Sequence, residues 1–176
     1  MSNLWMVGNY GSKLAKTMKD VITLIDACCD VYDRMDLKPK PDGSTFCNEA
    51  VNVVATAMGF TGFENRMADE IMDIMANSPD WSNVPMEKAQ DMANQGSLLI
   101  AGLTSKELGQ DHGHVVTVRP GKMIFSGKWG LVPRVINVGS HNFIARAQSG
   151  PLINQGCGVN ESFIQLPKFW VWRFSL

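Results

Sequence analysis

The stretch "DGSTFCNEAVNVVATAMGF", residues 42 to 60, sets Cys47 one or two positions inside what reads as the start of a helix. A thiol becomes a nucleophile when it ionises, and the free N–H groups and dipole at a helix N-terminus favour the anion. Thiolate catalysis also needs a base beside the sulfur and a polar group to orient that base. The chain holds three histidines, at 112, 114 and 141. His114 opens the alternating run "HVVTV", so His114, Val116 and Val118 share one strand face. His112 stands before Gly113 in a loop and reads as solvated, and His141, in "GSHNF", reads as a turn residue. Asn137 lies between Ile136 and Val138 in "VPRVINVGSHNF". An amide inside an apolar strand requires a hydrogen-bond partner if buried, and His114 on an adjacent antiparallel strand would supply one. Ser140 and Asn142 compete with Asn137 for the orienting role. Cysteine on a helix, with histidine and asparagine on a sheet, is one convergent form of the nucleophile–base–orienter triad. The competing reading is structural: Cys47 continues the inward face of residues 51, 54 and 58, and His114 is an ordinary strand-start residue.

These side chains must be positioned by the elements around them. "SKLAKTMKDVITLIDACCDVYDRM", residues 12 to 35, predicts a helix, with Leu14, Met18, Val21, Ile25, Cys28, Tyr32 and Met35 on its inward stripe. Cys28 thereby reads as core packing, although the methionine and cysteine face could instead dock a partner. "LKPKPDGS" ends that helix. Ser44 or Thr45 can cap the next one, with Asn48 and Glu49 in its first turn, Ala50, Val51, Val54 and Met58 inward, and Gly59 at its end. Residues 64 to 76 predict a third helix with Met67, Ile71, Ile74 and Met75 inward. "SPDWSNVP" reads as a loop, and "MEKAQDMANQG" as a short helix closed by Gly96. The period then changes. "SLLIAGL", "HVVTV", "KMIFS", "RVINV" and "NFIARA" are short strand-like runs, and "FIQLPKFWVWRF" offers a last strand. Helices first and strands second predict an α+β fold with an antiparallel sheet.

The 176-residue length suits one domain with a real core, and 45% apolar with 19% charged residues describes a folded chain. The net charge of −1 gives no reason to expect nucleic acid or anionic lipid as partner. Cysteines at 28, 29, 47 and 157 show no metal-ligand spacing and too few members for a disulfide framework, so they read as reduced thiols. No metal or cofactor is implied. No run reaches the roughly 18 apolar residues of a membrane span, and the first residues lack the charge-then-apolar order of a secretory signal. The expectation is synthesis in the cytoplasm without a signal peptide.

"TFCNEAV", followed in order by "ANQGSLLIAG", "GHVVTVRPG" and "VPRVINVGSHNF", resembles the papain-like cell-wall hydrolases. These are the NlpC-type peptidases and the cysteine, histidine-dependent amidohydrolase/peptidase domains of phage lysins and secreted bacterial effectors. The resemblance covers residues 42 to 146, with 1 to 41 as an N-terminal helical extension of a single catalytic domain spanning 1 to 176. It implies a papain-like fold and a thiol hydrolase cutting an amide bond of the peptidoglycan stem peptide. Cys47 matches the nucleophile, His114 the general base and acid, and Asn137 the polar third member. It also implies action in the periplasm or cell wall after delivery, through a holin-type pore or by injection, in the latter case with an immunity protein in the producer. A papain-like hydrolase of protein substrates and a non-catalytic virion or binding protein are the alternatives. The loops expected to shape the pocket are 38–45, 77–85 and 147–160; Trp81 and Trp129 either line a groove or anchor a small core.

Overall fold

The computed structural model describes residues 4–37, 40–41, 45–139 and 165–175. Helix α1 (Leu4–Asp33) is followed by a 3-10 turn at Met35–Leu37, just ahead of the two prolines that forbid its continuation. Its inward face is Leu24, Ala27, Cys28 and Val31, spaced by three and four residues and all buried. Cys28 is where the periodicity put it, but Met18 and Ile25 of the expected stripe are exposed, at 59% and 38%. The helix carries two apolar stripes, and periodicity alone does not tell which one meets the rest of the chain. The side chains of Leu14, Tyr32 and Met35 fall outside the described residues.

Helices α2 (Cys47–Ala57) and α3 (Ala68–Asn77) complete one helical layer. Ala50, Val51 and Val54 of α2 are buried, and Gly59 follows with φ 95°, a left-handed value that glycine adopts without strain. Ile71 and Met75 of α3 point inward as expected, joined by Ala68 and Met72. Met67 instead occupies the extended N-cap position and is 56% exposed, while Ile74 is half-buried. The Glu70 carboxylate reaches back to accept the Met67 N–H at 2.8 Å.

The strands are β1 (Trp81–Val84), β2 (Leu99–Leu103), β3 (His114–Val118), β4 (Ile124–Ser126), β5 (Gly130–Val132), β6 (Val135–Ile136) and β7 (Lys168–Trp172). Helices α4 (Met86–Asn94) and α5 (Ser105–Leu108) lie among them in sequence. The main sheet is antiparallel throughout, in the order β1-β7-β2-β3-β6, and β4 pairs with β5 in a separate ribbon. The fold is therefore α+β, as the order of periodicities predicts. Alternation divides the strand residues between two cores. Ile100, Val115 and Ile136 pack under α1, α2 and α3, whereas Leu99, Ala101, Val116, Val135 and Phe169 pack against Ala89 and Ala93 of α4.

Three strand expectations change. "SPDWSNVP" is not merely a loop: Trp81–Val84 forms the edge strand β1, in register with Phe169–Trp172 of β7. Trp81 is buried in a cluster with Phe60 and Phe63, ring centroids 5.2 and 5.4 Å away, so it anchors core. "RVINV" contributes only Val135 and Ile136 to the sheet, and "KMIFS" forms β4 outside it. "NFIARA", with Ser140, His141, Asn142 and Cys157, lies outside the described residues.

Candidate active site

Helix α2 begins at Cys47 itself, with Phe46 as the N-cap residue and no side-chain cap bond from it. Thr45 stands one residue before that cap and Ser44 lies outside the described residues, so the expected hydroxyl at the N-cap gives way to an aromatic ring. The first helical bond runs from the Ala50 N–H to the Phe46 carbonyl at 2.9 Å. The amides of Cys47, Asn48 and Glu49 thus have no acceptor within the helix. That of Asn48 donates to the Cys47 sulfur. An aromatic cap cannot accept from these amides and leaves the positive helix end to the thiol.

His114 is the first residue of β3. Pairing of β3 with β6 joins Thr117 to Ile136 and Val118 to Val135. One further step in that register sets Asn137 beside Val116, on the same face as His114 and diagonal to it. There the His114 Nε2 lies 2.8 Å from Asn137 Oδ1, with both residues buried. A carboxamide oxygen only accepts, so Nε2 carries the proton and donates. Nδ1 is then the ring nitrogen left to face Cys47, with which the imidazole hydrogen-bonds.

Burial pushes the Cys47 thiol up. The His114 imidazole, by charge and by hydrogen bond, and the backbone N–H groups of Val115 and Asn48 together outweigh it and hold the thiol below its ordinary value. Cys28 shows the same burial without a facing imidazole, and its thiol is pushed up to about 12. Sequence reasoning named Cys47, His114 and Asn137 from separate segments, and the fold brings all three together. His112 is exposed, as a loop histidine should be.

Two positioning residues were not foreseen. Asp69, at the start of α3, accepts the Ser105 N–H at 2.7 Å, and its carboxylate crosses directly over Gly113. A Cβ on Gly113 would strike that oxygen and come within 3.0 Å of the Leu103 carbonyl. The glycine before His114 is thus required by close approach. Gln90 of α4 is buried and spans the two strands that bear the pair: its Nε2 donates to the Arg119 carbonyl at 2.9 Å, and its Oε1 accepts the Arg134 N–H at 2.8 Å. Its signal was available, because a glutamine on the same helical face as Ala89 and Ala93 is a polar group among core positions.

An open cavity of about 490 Å³ runs along the outer side of α2, lined by Asn48, Glu49, Asn52, Arg34, Arg66 and Met67 among others. It begins at the residues that follow Cys47 and is not formed by residues 77–85, one of the segments expected to shape a pocket. Trp129 is half-buried against the α4-side core with the Lys128 ammonium 4.8 Å over its ring. Among the described residues, no three His, Cys, Asp or Glu side chains converge on a metal-sized site. No protein-family model matches this chain, and no curated protein matches it.

Proposed function

We propose that this protein is a cysteine hydrolase of papain-like type that cuts an amide bond in the stem peptide of peptidoglycan, as a phage lysin or secreted effector does. The observation that carries the catalytic part is the buried 2.8 Å bond between His114 Nε2 and Asn137 Oδ1, on an imidazole that also hydrogen-bonds Cys47. The substrate class rests on the resemblance of the four ordered segments between residues 42 and 146 to cell-wall hydrolases.

In this mechanism His114 Nδ1 takes the Cys47 proton, and Asn137 holds the resulting imidazolium in plane. The thiolate attacks the amide carbonyl, and the Cys47 N–H donates to the oxyanion from the open end of α2. The C–N bond breaks as His114 protonates the departing amine, leaving a thioester on Cys47. Water, deprotonated by the same histidine, then hydrolyses the thioester and regenerates the thiol. The cavity beside Asn48 and Arg66 offers room for the peptide flanking the scissile bond.

The test is mass spectrometry of soluble fragments released from purified sacculi by wild type and by Cys47→Ala. Release by wild type alone is expected, and the fragment masses identify the bond. Intact sacculi in both samples would remove peptidoglycan as the substrate and favour the protein-substrate alternative.

A further inference from the structure

Helix α1 carries a second apolar stripe that its fold leaves open. Met18, Ile22 and Ile25 are 59%, 54% and 38% exposed, and Cys29 is exposed as well. They recur at steps of four, three and four residues, the spacing of a seam between two helices. The opposite side of α1 is already occupied. Leu24, Ala27, Cys28 and Val31 lie in the core, and Asp20 and Val21 pack over Gly96, where a Cβ would come within 2.8 Å of Asp20. The stripe is therefore not the face that attaches α1 to the rest of the fold.

The charges beside the stripe say what it fits. Lys19 follows Met18 and Asp26 follows Ile25, so both project from the same flank, about two helical turns apart. Neither makes an ion pair among the described residues. The other flank carries Val21 and Cys28 and turns into the core. In an antiparallel helix pair, like flanks of the two helices meet; in a parallel pair, opposite flanks meet. With Ile22 level with Ile25 of a second copy and Met18 level with Cys29, an antiparallel pair sets Lys19 against Asp26 of the other chain twice, by symmetry. A parallel pair would set Lys19 toward the uncharged Val21 flank and gain no such match. We infer that α1 is a self-association surface, joining two copies of this chain through an antiparallel α1–α1 seam centred on Ile22 and Ile25. This stands independently of the hydrolase reading.

Sedimentation equilibrium on the full chain tests it. A dimer is expected for wild type and a monomer for Ile22→Lys, whose exposed position leaves the fold, read by circular dichroism, intact. Lys19→Asp alone or Asp26→Lys alone opposes like charges twice and is expected to weaken the dimer about tenfold or more. An equimolar mixture of those two variants, or the double variant, is expected to restore wild-type affinity. A monomeric wild type at every concentration overturns the proposal and assigns the stripe to a different partner. Single reversals without effect overturn it equally. Under mild oxidation, Met18→Cys is expected to crosslink to Cys29 of the second copy; crosslinking of wild type through Cys29 alone would instead mark a parallel pair and overturn the antiparallel seam.

Discussion

Cys47 and Cys28 are both buried thiols, yet their acidities move in opposite directions, because Cys47 faces the His114 imidazole and accepts from two backbone amides while burial dominates at Cys28. Alkylation by iodoacetamide separates them. Cys47 is expected to react with a midpoint below the ordinary thiol range, because its ionised form is the one that His114 and two backbone amides stabilise. Asn137→Ala removes the acceptor that holds the protonated ring, so that midpoint is expected to move to higher pH. In the proposed reaction the same variant should lose about a hundredfold in kcat, the cost of a mispositioned base. A stability experiment reads Cys28. A thiol whose folded pKa is raised contributes its full stability below the unfolded value near 9 and loses it as pH climbs toward about 12. Between pH 8 and pH 11, most of the way through that window, wild type is expected to lose about 3 kcal/mol that Cys28→Ala does not lose, measured by urea unfolding at the two pH values.

Between elements, the pairing of β3 with β6 decides whether His114 meets Asn137, and Gln90 clamps its far end. Gln90→Leu leaves the Arg119 carbonyl and the Arg134 N–H without that partner. The expected cost is about 2–4 kcal/mol in denaturant unfolding, with a raised alkylation midpoint at Cys47 as the readout of a displaced histidine. Gly113→Ala forces Asp69 off its place and is expected to cost about 1–3 kcal/mol. Much of this level was legible beforehand. "HVVTV" and "SLLIAGL" are short apolar runs set off by Gly and Pro, enough to be read as strands, and Asn137 between two apolar residues announced its need for a partner. Other features were not legible. The polar "SPDWSNVP" hides β1 because its pairing energy comes from β7, which lies far away in sequence. The inward face of α1 was misjudged because Met18, Ile22 and Ile25 form a stripe as regular as the buried one. The Asp69–Gly113 approach left no local mark, since it arises only when α3 crosses the sheet.

For the molecule as a whole, the net charge of −1 provides no long-range attraction for a polyanionic wall. In the proposed reaction, hydrolysis of sacculi is therefore expected to change little, within about threefold, between 20 and 200 mM salt, because steering is the part that ionic screening removes. A steep salt dependence would point to recognition through a charged surface rather than through the cavity beside α2. The strand order carries a different consequence. β7 is inserted between β1 and β2, although it is synthesised long after both. On a ribosome adding about 5–20 residues per second, the β2-β3-β6 half can assemble while β2 keeps a bare edge for on the order of several seconds. The nascent chain thus holds its α2–β3 thiol site nearly finished on a half-built sheet, a stage at which a chaperone or a sister chain on the same message can capture it. Translation pauses placed before codon 168 are where that competition would be decided.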